Sequence, residues 1–175
     1  ENCTAKGTGL SDIWFAGKQA KFMVHARDKY GNKRLEGGDE IAVRVLTHDI
    51  NRKFLPEIRG KVHDNNNGSY TVTYTPEYVG HVTMSVTMKH VVGDEIVFNP
   101  VRGSPFELII NPDYIFPLAC VPFGPGCEGQ LVAGEKTSLT VQAEDKYGNK
   151  LITGGDWVEC ELEAPKGCTI KAEME

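Results

Sequence analysis

Apolar and polar residues alternate with a period of two in five short runs within the first 110 positions. Phe22, Val24 and Ala26 fall on one face and Lys21, His25 and Arg27 on the other, with only Met23 breaking the polar side. Ile41, Val43 and Val45 alternate likewise with Ala42, Arg44 and Leu46. The strongest such run sets Tyr70, Val72 and Tyr74 against Ser69, Thr71, Thr73 and Thr75. Val82, Met84, Val86 and Met88 follow, alternating with Thr83, Ser85 and Thr87, and Phe106, Leu108 and Ile110 close the series. Successive side chains of a strand point to opposite faces, so each run predicts a half-buried strand. Between the runs lie Asp28-Lys29-Tyr30-Gly31-Asn32-Lys33, Asp64-Asn65-Asn66-Asn67-Gly68, Pro76 to Gly80 and Gly103-Ser104-Pro105. These residues turn a chain because Gly and Asn tolerate positive φ and Asp bonds back to nearby amides. No window of useful length carries a helical period. About seven short strands at roughly ten-residue spacing predict an all-β, immunoglobulin-like antiparallel sandwich.

The turn at Asp28 occurs a second time, unchanged, as Asp145-Lys146-Tyr147-Gly148-Asn149-Lys150, 117 residues further on. The same offset, without a gap, matches Cys3 with Cys120, Gly9 with Gly126, Gly17 with Gly134, Val24 with Val141 and Gly37-Gly38-Asp39 with Gly154-Gly155-Asp156. Self-similarity at a fixed period marks a tandem array. Residues 1–111 are expected to form one full domain, 112–117 a proline-containing linker, and 118–175 an incomplete second copy. The second copy lacks counterparts of the Asn-Gly turn, the Tyr70 strand and the closing strand. The first copy is expected to fold alone, since each fully buried core side chain contributes about 1.5 to 3 kcal/mol.

Charge and composition narrow the partners. A formal net charge of -5 provides no basic stripe for phosphate contacts, which argues against nucleic acid and against anionic membrane surfaces. No apolar run reaches the length of a membrane span, so no membrane contact is expected from this stretch. The opening at Glu1 has no signal-peptide layout and suggests a processed or excised chain.

A search for catalytic or metal-binding constellations yields nothing. His25, His48, His63, His81 and His90 are scattered over polar strand faces and loops, without ligand spacing to the cysteines. The Asp64 to Gly68 run has its glycine one place early for a helix-loop-helix calcium site and no closing glutamate, so a plain hairpin turn is expected. Gly7-Thr8-Gly9 lacks the third glycine of a nucleotide fingerprint and reads as the start of a strand. The chain is therefore expected to be no enzyme, and to carry no catalytic residue, cofactor or metal. One long connection, with Arg52, Lys53, Phe54 and Leu55, is a candidate partner-binding loop. Packing of Phe54 onto its own domain is the alternative.

Five cysteines in 175 residues is a high count for a reducing compartment. Cys120, Cys127, Cys160 and Cys168 are disulfide candidates with no pairing chosen, and Cys3 is left over. Cys127 and Cys160 occupy the positions of Leu10 and Val43, so two buried thiols are the competing expectation. Asn2-Cys3-Thr4 and Asn67-Gly68-Ser69 are glycosylation sequons at Asn2 and Asn67.

Ala-Arg-Asp-Lys-Tyr-Gly-Asn, Gly-Gly-Asp, Asn-Asn-Gly-Ser-Tyr-Thr-Val-Thr-Tyr-Thr-Pro, Tyr-Val-Gly and Gly-Ser-Pro-Phe-Glu-Leu, in that order, resemble the filamin-type immunoglobulin repeat. The resemblance runs from Gly7 through Ile110 and again from Gly124 to Leu162. It implies a seven-stranded sandwich and a non-enzymatic scaffold that binds proteins, including neighbouring repeats of its own chain. Cytoplasmic relatives take extended peptides along the strand that matches Ile41 to Leu46, which nominates Ala42, Arg44 and Leu46 as an edge for β-augmentation. The family includes cytoplasmic actin cross-linkers and cell-surface proteins of gamete adhesion. Cysteine density and sequons lead to the expectation of a cell-surface, extracellular adhesion module that meets a surface receptor. A piece of a cytoplasmic filamin rod, cross-linking actin and docking signalling proteins or receptor tails, is the alternative.

Overall fold

A computed structural model describes residues 2–49, 53–164 and 168–171. Copy one contains β1 (Thr4–Lys6), β2 (Ile13–Phe15), β3 (Ala20–His25), β4 (Ile41–His48), β5 (Ile58–Arg59), β6 (Lys61–Asp64), β7 (Ser69–Tyr74), β8 (Gly80–Val92), β9 (Glu95–Pro100) and β10 (Phe106–Asn111). Copy two contains β11 (Val121–Phe123), β12 (Thr140–Gln142), β13 (Glu161–Ala164) and β14 (Cys168–Lys171). One sheet runs β1-β3-β7-β6; the other runs β2-β10-β8-β4-β5, with β9 also paired to β8. All pairs are antiparallel except β2 with β10. The result is the all-β, immunoglobulin-like sandwich that the alternation predicts.

The core comes from the alternating positions. Phe22, Val24, Tyr70, Val72 and Tyr74 of the first sheet are buried together with Val43, Val45, Val82, Met84, Val86, Leu108 and Ile110 of the second. Two tyrosines reach this core because each hydroxyl has a partner. Tyr74 donates to the Gly9 carbonyl at 2.6 Å, and Tyr70 accepts from the Asp39 amide and donates to Asp39 Oδ2, both at 2.8 Å. Burial pushes the Tyr70 pKa up to about 12 and raises that of Tyr74 further.

The predicted turns form by the expected chemistry. In the Asp64 turn, Asp64 accepts from the Asn66 and Gly38 amides at 2.8 and 2.7 Å, so its carboxylate serves the backbone. Gly68 has φ 71°, and a Cβ there would strike the Arg34 carbonyl. Thr8 and Gly9 depart from expectation: they lie in a 3-10 turn, Thr8–Leu10, that moves the chain from β1 in one sheet to β2 in the other. β6 was not foreseen either, since Lys61, Val62 and His63 are all exposed and show no alternation.

The 117-residue offset holds in three dimensions. Thr4, Ala5 and Lys6 pair with His25, Val24 and Met23; Val121, Pro122 and Phe123 pair with Gln142, Val141 and Thr140 in the same register. The 3-10 turn Thr8–Leu10 recurs as Pro125–Cys127. The correspondence ends at β13, which pairs with β14 in a separate two-stranded sheet. Phe123, Ile152, Trp157 and Leu162 of copy two are exposed. Cys127 is exposed and Cys160 half-buried, so neither fills the core position predicted for it.

Among the described residues, every member of the buried apolar core lies between Ala16 and Ile110, and of copy two only Tyr147 packs against that cluster. Residues 2–112 produced alone are therefore expected to unfold in one cooperative urea transition. Phe22→Ala should lower that stability by about 3 to 5 kcal/mol, and a loss below about 1 kcal/mol would contradict the assigned core. Tyr74→Phe should cost about 1 to 3 kcal/mol because the Gly9 carbonyl loses its buried donor; an unchanged urea midpoint would show that water replaces the hydroxyl.

Candidate functional site

The strand nominated for peptide binding is β4. One of its edges pairs with β8 from Ile41 to His48. The other is held by the chain itself: Arg44 and Val45 pair with Arg59 and Ile58, Gly60 donates to the Val43 carbonyl at 3.1 Å, and Leu55 donates to that of Thr47 at 2.9 Å. Arg44 is exposed, while Ala42 and Leu46 are half-buried. Arg44 forks onto Glu57, Nε to Oε1 at 3.2 Å and an Nη to Oε2 at 2.7 Å. That contact raises the arginine pKa and lowers the glutamate pKa. Among the loop candidates, Lys53 is exposed and its amide donates to Asp49 Oδ1, Leu55 is half-buried, and Arg52 lies outside the described residues. Phe54 sits against the His48 ring, centroids 4.3 Å apart, yet stays 69% exposed, so packing on its own domain covers only part of it.

One surface escaped the sequence reading. β8 runs past the sheet to Val92 and folds back as β9, forming a ribbon with exposed Val91, Ile96, Val97 and Phe98. Its signal was the Gly93-Asp94 dipeptide, a two-residue hairpin turn between the apolar Val91-Val92 and Ile96-Val97-Phe98 stretches.

Cys3, Cys120, Cys127 and Cys160 are free thiols, and no side-chain placement is described for Cys168. Cys3 Sγ donates to the Arg27 carbonyl at 3.5 Å; at the matching place Cys120 Sγ lies 4.0 Å from the Glu144 carbonyl. Asn2 donates its side-chain amide to the carbonyls of Asp28 and Lys29, and exposed Asn67 accepts from the Ser69 amide and hydroxyl. No group of three or more potential metal ligands occurs among the described residues. Among the described residues no helix is long and apolar enough to cross a membrane.

The repeated turn has one internal geometry and two surroundings. In copy one, Asp28 Oδ1 accepts the Tyr30 and Asn32 amides, both at 2.9 Å, and Asn32 Nδ2 donates to Oδ2 at 3.0 Å. In copy two, Asp145 Oδ1 accepts from Tyr147 and Asn149 at 2.9 and 3.0 Å, and Asn149 Nδ2 reaches Oδ2 at 2.9 Å. The first turn is exposed to solvent; the second is docked on copy one. There Asn149 donates to the Glu77 carbonyl at 2.8 Å and accepts from the Val79 amide at 3.4 Å, and Asp145 Oδ2 accepts the Asp113 amide at 3.2 Å. The Tyr147 ring lies on Gly17, where any Cβ would collide with it. Lys18 pairs with Asp113 at 2.9 Å beside the joint. Burial works to raise the Asp145 pKa, but the hydrogen bonds from Asn149, Tyr147 and Asp113 outweigh it and the net direction is down.

Comparison with known proteins agrees with this architecture. The filamin/ABP280 repeat family model matches residues 1–107. The flagellar outer-arm dynein alpha chain of Chlamydomonas reinhardtii is 32% identical over 158 residues, covering 89% of this chain and 3% of the dynein. The E3 ubiquitin-protein ligase TRIM45 of Bos taurus is 35% identical over 92 residues, covering 53% of this chain and 14% of the ligase. The chain thus spans a small part of each relative. Among solved structures, the bacterial integrin-binding protein invasin aligns over 96% of this chain and 33% of its own, with a TM-score of 0.55 at 13% identity, a likeness of fold alone. The family match and the sandwich describe the same residues, and the filamin repeat is a non-enzymatic protein-interaction module. The chain belongs to the filamin/ABP280 repeat family.

Proposed function

We propose that this chain is a docking module within a longer scaffold, and that it takes an extended peptide along the outer edge of β4 when residues 54–59 move aside. The observation that carries this reading is the slightness of the present cover. β4 meets β8 over eight residue pairs but meets β5 over two. The Arg44–Glu57 pair that helps to hold the cover is solvent-exposed, and exposed ion pairs contribute little. An incoming strand would replace the same main-chain bonds and add side-chain contacts to Ala42, Arg44 and Leu46. Phe54 and Leu55, released with the loop, would offer apolar surface to the partner.

The setting proposed is the cytoplasm. Cys3 and Cys120 make equivalent thiol-to-carbonyl contacts in the two copies, a role that suits reduced sulfur. The relatives are named as a flagellar dynein chain and a ubiquitin ligase, which accords with a scaffold carried inside a large polypeptide. The cell-surface adhesion reading rests on cysteine number and on the sequons at Asn2 and Asn67.

Peptides selected from a displayed random library should bind the Arg44→Cys/Arg59→Cys variant in its reduced form and at least tenfold more weakly once the two cysteines are bridged across the strand pair. Equal binding in both redox states, or a library that yields no binder, would remove the edge from consideration. Intact mass of the protein from its native source, before and after reduction, tests the setting. Unmodified mass with all thiols free is expected; two or more bridged cysteines together with glycan mass would move the module to the cell surface.

A further inference from the structure

The two copies of Asp-Lys-Tyr-Gly-Asn-Lys differ in one respect, which is what lies against them. In copy two the hexapeptide is a plug: Asp145 is 0% exposed and accepts from the Asp113 amide of the linker, and Asn149, 8% exposed, is held against copy one. The socket is formed by the Glu77 carbonyl, the Val79 amide and the bare face of Gly17. In copy one the same six residues hold the same hydrogen-bonded shape with no second domain against them: Asn2 donates to the Asp28 and Lys29 carbonyls, Arg27 donates to that of Gly31, and Tyr30 is 78% exposed. Asn32 keeps its side-chain carbonyl and one amide hydrogen available, the groups that Asn149 uses to grip Glu77 and Val79.

We propose that the exposed Asp28–Asn32 turn is a preformed plug for the Gly17 and Glu77–Val79 type of socket on another filamin-type repeat. The occupant is specified by the joint already present. It must offer a backbone carbonyl and an amide two residues apart at a strand corner, and a glycine on which a tyrosine ring can lie. Identical residues in an identical conformation make identical demands, and a turn rigid before contact loses little entropy on docking. Contact through one turn is small, so it holds when a short linker supplies a millimolar effective concentration and not between free molecules in dilute solution. The joint thus propagates along an array in one direction, the turn of each repeat engaging the corner of the repeat before it.

The test joins residues 3–112 directly after residue 119, which places a second Asp28–Asn32 turn at the position of Asp145–Asn149. Both parts are copy one, whose core is self-contained. In solution NMR, cross-peaks are expected between the second Tyr30 ring and the first Gly17 α-protons, with the Val79 amide exchanging at least tenfold more slowly than in the same tandem carrying Asn32→Ala in its second repeat. The natural 175-residue chain is the reference, with Asn149→Ala as its variant. The proposal is overturned if the tandem shows no Tyr30–Gly17 contact and unchanged Val79 exchange while the natural chain shows both. It is equally overturned if the natural chain itself lacks the Tyr147–Gly17 contact.

Discussion

The face-to-face burial of alternate residues from two sheets is the constraint on which the rest of copy one depends. Phe22, Val24, Val72 and Tyr74 on one side meet Val43, Val45, Val82, Met84 and Leu108 on the other. A one-residue slip in any of these strands would turn its apolar set outward. The register therefore also decides which residues face solvent on β4 and where the β3–β4 turn projects. Tyr70 and Tyr74 tie this core to the loops, because their hydroxyls reach Asp39 and Gly9. Loop positions that look remote from the core are thus anchored to it.

The surfaces proposed for interaction are consequences of that frame. β4 lies next to the sheet's outer edge, where only β5 adjoins it, and this is the edge proposed for strand addition once residues 54–59 move aside. Ion pairing between Arg44 and Glu57 covers this edge without sealing it. The β8–β9 ribbon extends the opposite flank and exposes Phe98 and Ile96 on a hairpin that the core does not need. The Asp-Lys-Tyr-Gly-Asn turn has a different character. Its shape comes from its own side chains, which is why it can recur unchanged in exposed and in docked surroundings.

Much of this was legible in the residues. Period-two alternation placed β3, β4, β7, β10 and the first part of β8 and named most of the core, because a strand half in water must alternate. The exact repeat placed copy two, and the matching registers of β1–β3 and β11–β12 show that a turn and its flanking residues are enough to set local pairing. Elements without burial left weaker traces. β6 shows no alternation, and the Gly93-Asp94 turn was the one sign of β9. Cys127 and Cys160 misled because a position's core status depends on the strands that face it, and the described strands of copy two form two separate two-stranded sheets.

By itself, then, the sequence determined the strands, the turns, the tandem plan and the family motifs, since each depends on contacts between near neighbours or on a local alternation of polarity. Tertiary structure decided the rest. That β5 lies across β4, that the Cys3 and Cys120 thiols meet backbone carbonyls, and that Asn149 grips Glu77 while Asn32 meets solvent all depend on groups brought together from far apart in the chain. The clearest case is the hexapeptide: one sequence adopts one conformation twice, and only the surface presented by another domain makes one copy buried and leaves the other exposed.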